Sequence, residues 1–266
     1  MKKTQPAALI TGSSSGIGET FARKLSQRGY RLILVARREE RLKKLAQELG
    51  NAESLPADLT VDADRNKVAA LIADEPEMEF LVNNAGFGVP GRFHETDLEE
   101  QDRLHRLHIL AVQCLTHAAL KGMVARRKGN IINVSSVAAF FTAPHNVTYA
   151  ASKSWINAFT EGIYLELKGT RSPVRVQALC PGFTHSEFHE VIRMDRSLVP
   201  KWLWMSSVEV VEESLKALER NRLIVIPGRK YRMLVRILSS LPKPIKHLMA
   251  VRHGKSRLEL SKKKTV

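Results

Sequence analysis

The chain has 266 residues, a formal net charge of +15 and two cysteines. This length suits one large domain with a substantial core, or two small ones. Cys114 and Cys180 lie far apart, which excludes a disulfide framework and a C-x-x-C metal or redox pair. We therefore expect a reduced, cytoplasmic protein without a metal site.

The N-terminus shows no targeting signal. Its apolar run, residues 7–10, is much shorter than the core of a signal peptide. We also expect no stretch long enough to span a membrane, so the protein should be soluble or only peripherally bound to one.

The positive charge is concentrated at the C-terminus. Residues 229–266 hold twelve Lys/Arg and one acid, Glu259, so +11 of the net charge lies in the last 38 residues. We predict a domain over residues 1–228 and a basic amphipathic extension over residues 229–266. We expect no nucleic-acid binding, because the sequence has neither a recognition motif nor an aromatic stacking platform.

The chain begins with a predicted strand, a glycine-rich turn and a helix. Ala7–Thr11 is apolar, residues 12–18 read Gly-Ser-Ser-Ser-Gly-Ile-Gly, and Ile17, Phe21 and Leu25 recur at helical spacing. Glycines let the backbone approach a ligand, and the free N–H groups of a helix start suit a diphosphate. The spacing G-x-x-x-G-x-G departs from G-x-G-x-x-G, and a plain turn is the alternative.

The second predicted strand, Arg31–Ala36, is followed by Arg37 and Arg38. A dinucleotide enzyme selective for NAD carries an acid at this place to bind the ribose. Two arginines favour a 2′-phosphate instead, so we predict NADP over NAD, with Arg37 the nearer contact. The alternative is that both arginines are solvated residues at the start of the next helix.

Helices and strands alternate through the rest of the chain, which predicts an α/β fold. We expect one Rossmann-like domain with a doubly wound parallel sheet and helices on both faces. The further predicted helices are residues 39–49, 61–73, 98–127, 208–220 and one from Val147, and the further predicted strands are residues 54–59, 79–82, 130–135, 174–180 and 223–226.

Polar residues end two of these strands. Asp58 and Leu59 close the third, and residues 83–86, Asn-Asn-Ala-Gly, close the fourth. Amides at a strand end can bond loop backbone or reach a ribose, and the small residues leave room for a ligand.

Tyr149 and Lys153 are four residues apart on a predicted helix, so both side chains emerge on one face. A fixed positive charge lowers the pKa of a tyrosine from its usual value near ~10. Tyr149 could then give a proton to a substrate oxygen. The alternative is a surface Tyr and Lys on an ordinary amphipathic helix.

These pieces, in this order, resemble the short-chain dehydrogenase/reductase family. The motifs that carry the resemblance are Thr11-Gly12-x-x-x-Gly16-x-Gly18, Asn83-Asn84-Ala85-Gly86, Ser136, Tyr149-x-x-x-Lys153 and Pro181-Gly182. Ser136 lies thirteen residues before Tyr149, the interval that the family favours, so we choose it over Ser135. Residues 181–188 look most like the bacterial branch with Pro-Gly-Phe-Thr-x-Thr-Glu-Phe, here with Ser186 as the second threonine.

The resemblance implies an oxidoreductase that moves hydride between nicotinamide and a carbonyl/hydroxyl pair. Ser136 would polarise the substrate oxygen, Tyr149 would protonate it, and Lys153 would favour the ionised tyrosine and hold the nicotinamide ribose. The implied cofactor contacts are Gly12, Ser14, Ser15, Gly16, Ile17 and Gly18 at the diphosphate and ribose, Asp58 and Leu59 at the adenine, Asn84, Ala85 and Gly86 at the adenosine, and Pro181, Gly182 and Thr184 at the nicotinamide. The family also commonly forms dimers or tetramers.

His108 stands where the family commonly has an asparagine that relays protons through a water. A histidine can also bond a water and titrates nearer neutrality, so we predict that His108 supports the relay. The alternatives are a buried neutral histidine with a structural hydrogen bond, or a lost relay.

The substrate region and the tail are less specific. Aromatic and apolar residues expected around the pocket suggest an apolar carbonyl or alcohol substrate, although several could be core: Phe140, Phe141, Phe183, Phe188, Val191, Trp202, Trp204 and Met205. The tail could lie on an anionic membrane at its inner face, cover a neighbouring subunit or pack on its own domain. A nucleotide-sensing module without turnover is the alternative function.

Overall fold

A computed structural model of the protein describes residues 5–188 and 199–262, the last ten of these by backbone alone. Val191, one of the residues expected around the substrate pocket, lies outside the described residues.

Seven parallel strands form one sheet in the order β3-β2-β1-β4-β5-β6-β7. The order reverses beside β1, which is the arrangement of a doubly wound sheet, and the predicted fold class is confirmed. The strands are β1 Ala7–Thr11, β2 Arg31–Ala36, β3 Ala52–Pro56, β4 Met78–Asn83, β5 Asn130–Val134, β6 Arg175–Leu179 and β7 Ile224–Val225.

Helices cover both faces of the sheet. They are α1 Gly16–Gln27, α2 Glu39–Leu49, α3 Asp62–Asp74, α4 Leu98–His105, α5 Val112–Ala125, α6 Val147–Gly169, α7 Ser207–Glu219, α8 Arg229–Ser240 and α9 Lys243–Lys262, with a π-helical segment Arg106–Ala111 joining α4 to α5.

Strand β3 is shorter than predicted. It ends at Pro56, which pairs with Ala36 in β2 and has no N–H to donate. Asp58 and Leu59 therefore lie in the loop beyond the strand, where the Asp58 side chain accepts hydrogen bonds from the amide and hydroxyl of Thr60. The predicted placement of both residues at the carboxyl edge of the sheet still holds.

Two apolar cores hold the sheet between the helices. Successive side chains of a strand point to opposite faces, so Ile10 of β1 enters one core, with Phe21 and Leu25 of α1, while Leu9 enters the other. All five residues of β1 are buried. Such burial on both faces is characteristic of a parallel sheet covered by helices.

A continuous helical stretch, Leu98–Ala125, is long and apolar enough to cross a membrane when judged by length and composition only. The expectation that no stretch would be long enough to span a membrane is therefore wrong for this helix. Here Leu104, Leu115 and Met123 are buried in the domain, and α5 packs against α3. Packing in the core accounts for the apolar composition.

The first C-terminal helix packs on the domain by one side. Tyr231 and Val235 of α8 are buried. The Tyr231 hydroxyl accepts a hydrogen bond from the Phe183 amide at 2.9 Å and donates one to the Leu203 carbonyl at 2.6 Å. The residues predicted as an extension therefore begin with a helix that is tied to the loops beyond β6.

A chain of buried amides and hydroxyls crosses one face of the sheet. Asn83 of β4 donates to Thr116 of α5 at 3.0 Å and to Asn133 of β5 at 2.8 Å. Asn133 in turn donates to Thr160 of α6 at 3.0 Å. Because buried polar groups are costly when unpaired, these bonds fix α5 and α6 on the two central strands.

Replacing Asn133, the middle residue of this series of hydrogen bonds, should destabilise the fold. Asn133→Leu leaves the Asn83 amide and the Thr160 hydroxyl oxygen short of a partner, so we expect unfolding in urea to require about 1–3 kcal/mol less free energy. Thr170→Ala, at the exposed end of α6, is the control and should cost less than about 0.5 kcal/mol. Equal losses in the two variants would contradict the role given to the buried chain.

Candidate active site

A cleft of about 1690 Å³ lies above the carboxyl ends of the strands. Most of the predicted site residues line it. They are Gly12, Ser14, Ser15, Gly16, Ile17, Arg37, Asp58, Leu59, Asn84, Ala85, Gly86, Ser136, Tyr149, Lys153, Pro181, Gly182 and Thr184. Gly18 and His108 do not line the cleft, but each contacts residues that do: Gly18 lies against Gly12, and His108 against Gly86 and Phe87.

The glycine-rich turn leaves no room for side chains on its inner side. Gly12 and Gly16 have φ of +66° and +59°, in the region that favours glycine. A Cβ on Gly18 would lie 2.3 Å from the Gly12 carbonyl oxygen. Helix α1 starts at Gly16 and directs its free N–H groups and positive dipole end at the cleft. This close backbone cradle fits a dinucleotide diphosphate.

The loops after β1 and β4 are bonded to each other. Thr11 Oγ1 accepts hydrogen bonds from the amides of Asn84 and Ala85, at 2.9 and 3.0 Å. The Asn84 side chain donates to the carbonyls of Thr11 and Gly12, at 2.9 and 3.2 Å. The Asn84 amide group is therefore engaged by loop backbone, one of the two roles that the sequence left open.

The two arginines after β2 differ in their contacts. Arg38 donates to the hydroxyls of Ser14 and Ser15, at 2.9 and 3.0 Å, and forms an ion pair with Glu187 at 2.6 Å. Arg37 lines the same cleft on the side of Asp58. Arg38 is thus the arginine that touches the glycine-rich turn, a contact that spacing along the chain could not reveal.

Ser136, Tyr149 and Lys153 meet at the end of β5 and the start of α6. The Ser136 hydroxyl lies beside the Tyr149 phenol and acts to lower its pKa, and Ser136 Oγ accepts from the Ala138 amide at 3.1 Å. Lys153 is buried, donates to the Val134 carbonyl at 2.9 Å, and has its Nζ 5.5 Å from the centre of the Tyr149 ring. Ser135, by contrast, is buried and donates to the Lys153 carbonyl.

The lowered pKa expected for Tyr149 is not found. Burial raises the pKa of Tyr149 to about 12, and the hydrogen bond with Ser136 only partly opposes this effect. Burial also lowers the pKa of Lys153 to about 7. Both shifts have one cause, since removal from water disfavours the charged form of each group. Near neutral pH, the tyrosine holds its proton and the lysine is close to half charged.

His108 lies behind the reactive groups in the π-helical segment and is fully buried. The Phe87 amide donates to its Nε2 at 3.2 Å. Its Nδ1 lies 2.9 Å from Ser152 Oγ, which itself donates to the Tyr149 carbonyl. Nδ1 therefore carries the proton, and the ring is neutral with both nitrogens bonded.

The relay expected for His108 is not supported by this geometry. Burial, with the nearby charge of Lys153, holds the pKa of His108 well below 6.5. Nε2 already accepts from Phe87, and a Cβ added to Gly86 would lie 2.8 Å from it. The buried neutral histidine that the sequence left as an alternative is the arrangement present.

Only some of the residues expected around the substrate pocket line the cleft. Phe140, Phe141, Phe183 and Phe188 line the cleft. Trp202 is 59% exposed beneath the Lys230 ammonium, Trp204 stacks on His185, and Met205 packs against the core. The C-terminal helices supply further lining that was not predicted, although packing of the tail on its own domain was one of the alternatives: Leu234, Leu238, Met249 and Ala250, with Lys243, Lys246 and His247.

Comparison with known proteins agrees with this arrangement. Residues 6–197 match the short chain dehydrogenase family. An uncharacterized oxidoreductase of Staphylococcus epidermidis is 32% identical over 191 residues, which cover 71% of this chain and 82% of that protein.

Two solved structures with bound cofactor are similar in fold. A short-chain dehydrogenase from Sphingobium yanoikuyae, in complex with NADPH, has a TM-score of 0.80 at 32% identity over 90% of this chain and 97% of that one. A short chain dehydrogenase/reductase from Burkholderia phymatum, in complex with NAD, has a TM-score of 0.77 at 22% identity over 89% and 93% of the two chains. The bound cofactors differ, so these neighbours do not choose between NADP and NAD.

Protonation of His108 should oppose folding. The unfolded chain takes up this proton at the ordinary histidine pKa of 6.5, whereas the folded chain does so only at much lower pH. The stability contributed by the neutral ring is thus complete above pH 6.5 and falls below it, by up to about 1.4 kcal/mol per pH unit. His108→Asn lacks this proton, so urea unfolding at about pH 7.5 and about pH 5.5 should show a smaller pH-dependent loss in the variant. Equal losses would contradict the assignment.

Proposed function

This chain belongs to the short-chain dehydrogenase/reductase family of NAD(P)-dependent oxidoreductases, and on that premise we propose that it uses NADP to interconvert a carbonyl and a hydroxyl group with Tyr149 as acid and base. The observation that supports the proposal is that Ser136, Tyr149 and Lys153 meet on the cleft wall, with Lys153 Nζ 5.5 Å from the centre of the Tyr149 ring. Bound NADPH would supply the hydride for reduction, and NADP⁺ would accept it for oxidation.

Each of the three side chains has a distinct part. Ser136, held by the Ala138 amide, orients the substrate oxygen. Tyr149, with its pKa raised to about 12, holds a proton throughout the physiological range and can donate it to that oxygen as negative charge develops. Lys153 donates a hydrogen bond to the Val134 carbonyl. From this position its positive charge stabilises the phenolate that Tyr149 becomes after it has given up its proton.

The same residues can serve oxidation only if the tyrosine loses its proton. The positive charge of Lys153 favours the loss of this proton, and a second positive charge bound in the cleft would favour it further. An apolar substrate that excludes water strengthens both effects, because charges interact more strongly at low dielectric. This arrangement argues against a module that only senses the nucleotide.

NADP is proposed over NAD because two arginines, Arg37 and Arg38, directly follow β2, at the place where an NAD-selective enzyme carries an acid. Arg37 and Arg38 line the cleft, and Arg41 stands one turn of α2 further on. The cradle of residues 12–18 would hold the diphosphate, Asp58 and Leu59 the adenine, and Lys153 the nicotinamide ribose.

The proposed substrate is an apolar carbonyl compound or alcohol. Five phenylalanines line the cleft together with Leu203, Leu234 and Leu238, so its walls beyond the reactive groups are mostly hydrocarbon. The sequence of residues 181–188 supports placing the chain in the bacterial branch with the Pro-Gly-Phe-Thr-x-Thr-Glu-Phe motif.

We also propose a cytoplasmic homo-oligomer, a dimer or tetramer, that contacts the inner face of the membrane peripherally. Exposed apolar residues on the long helices, Leu110, Val124 and Leu165, support assembly. On α8 and α9, Met233, Ile237, Ile245 and Leu248 are also exposed, among many basic residues. Such a face suits the headgroup region of anionic lipids.

Removing the phenol should stop turnover without releasing the cofactor. In Tyr149→Phe, kcat on a panel of ketones and alcohols should fall by about 10²- to 10⁴-fold, because proton transfer loses its donor. The Kd for NADPH, measured by fluorescence, should change by less than about twofold, since the diphosphate is proposed to bind at the glycine-rich turn and not at this hydroxyl. Tyr164→Phe, the same change elsewhere on α6, is the control and should retain wild-type kcat. Full activity in Tyr149→Phe would overturn the proposal.

Membrane contact predicts salt-sensitive sedimentation with vesicles. The protein should pellet with phosphatidylglycerol vesicles at low ionic strength and be released at raised salt, because its attraction to anionic lipid is screened. Ile237→Glu should weaken pelleting, whereas Val61→Glu, at a site of similar exposure on the domain, should not. Absence of pelleting at low salt would remove the membrane contact from the proposal.

A further inference from the structure

Glu187 connects the loop beyond β6 to the arginines of the opposite cleft wall. One carboxylate oxygen lies 2.6 Å from Arg38 Nη1, and the other bonds Arg41 Nη1. The preceding residue, Ser186, packs so closely on the glycine-rich turn that a Cβ on Gly16 would lie 2.8 Å from Ser186 Cβ. Glu187 is thereby held above the turn that forms the cofactor cradle.

Each nitrogen of the Arg38 guanidinium has a hydrogen-bond partner in this arrangement. Its Nε and Nη2 donate to Ser14 Oγ at 3.2 and 2.9 Å, and Nη2 also donates to Ser15 Oγ. Its third nitrogen, Nη1, is the one that bonds Glu187. A phosphate that binds Arg38 and Arg41 at the position now held by Glu187 would take the place of that carboxylate, the group that already neutralises Arg38.

Carboxylates and phosphates bind arginine in the same manner. Both present a pair of anionic oxygens to the planar fork of the guanidinium. Arg38 and Arg41 keep 43% and 50% of their side-chain surface exposed, and Glu187 keeps 35%. Exposed ion pairs contribute little net stability, so one anion can replace the other without a large barrier.

We propose that Glu187 is an internal competitor of the cofactor's 2′-phosphate and so sets how strongly the protein prefers NADP over NAD. The inference rests on the proposed use of NADP. Binding of a 2′-phosphate exchanges the carboxylate for the phosphate on Arg38 and Arg41. NAD has no phosphate there and leaves the ion pairs intact. Glu187 therefore weakens the binding of NADP alone and narrows the difference between the two cofactors.

The hydrogen bonds of Glu187 also favour the negative charge with which it would compete against a phosphate. The hydrogen bonds from Arg38 and then Arg41 lower the pKa of Glu187 below its usual range. The carboxylate is thus ionised throughout the physiological pH range. Glu187→Gln keeps the size of the side chain and removes its charge, so it isolates the competition.

The test compares ligands that differ only in the 2′-phosphate. Kd values are measured calorimetrically for NADPH against NADH, and for adenosine 2′,5′-bisphosphate against adenosine 5′-monophosphate, with no turnover. In Glu187→Gln, the two ligands with a 2′-phosphate should bind about three- to tenfold more tightly, as expected for losing two exposed ion pairs. NADH and adenosine 5′-monophosphate should bind as in the wild type, which also shows that the variant is folded.

Glu40→Gln is the matched control. Glu40 lies on α2 near the same arginines but pairs only weakly with Lys43, at 3.6 Å. The Glu40→Gln variant removes the same charge and leaves the hydrogen bonds of Arg38 intact. Its Kd values for the four ligands should therefore stay within about twofold of the wild type. A selective gain in Glu40→Gln equal to that in Glu187→Gln would show a general effect of charge and overturn the inference.

Two further results would overturn the inference in distinguishable ways. If the wild type binds the 2′-phosphate ligands and Glu187→Gln gains no selective affinity for them, or loses affinity for all four ligands, the competition is wrong while NADP use stands. If neither protein binds NADPH or adenosine 2′,5′-bisphosphate, the proposed cofactor is wrong, and the inference fails with it.

Discussion

The hydrogen bonds between Thr11 and the loop after β4 are the constraint on which the rest of the cleft depends. Strands β1 and β4 are neighbours at the point where the strand order reverses, so their loops diverge and leave a gap. Thr11 Oγ1 and the Asn84 amide hold the two loops at a fixed distance across the base of that gap. The glycine-rich turn is then confined so tightly that Gly18 has no space for a Cβ.

The reactive groups lie at the same edge of the sheet, where they are removed from water. Tyr149 and Lys153 both lose water, and burial makes each of them favour its neutral form. The protein compensates with fixed partners, namely Ser136 for the phenol and the Val134 carbonyl for the ammonium. His108 extends this support, because it joins the loop at Phe87 to the backbone of Tyr149 through Ser152. The reactive hydroxyl is therefore positioned before any ligand arrives.

The sequence was sufficient for the fold and for the set of groups that meet in the cleft. Burial of whole strands, helical spacing and the glycine-rich turn are local signals, and strand ends in a parallel sheet share an edge. Local signals do not report partners from distant parts of the chain. The contact of Arg38 with Glu187, the two hydrogen bonds of the neutral His108, and the lining by Leu234 and Leu238 all join distant segments. The pKa of Tyr149 was predicted in the wrong direction because spacing showed the lysine but not the burial.

The central claim is that the cleft holds a nicotinamide cofactor whose hydride reaches a substrate beside Tyr149. The most direct measurement uses NADPH deuterated at the transferring C4 position, incubated with the protein and a ketone that it reduces, followed by mass spectrometry of the alcohol. The account predicts one deuterium on the carbinol carbon, delivered from a single face of the nicotinamide. An alcohol that contains no deuterium, formed while the cofactor keeps its label, would contradict it.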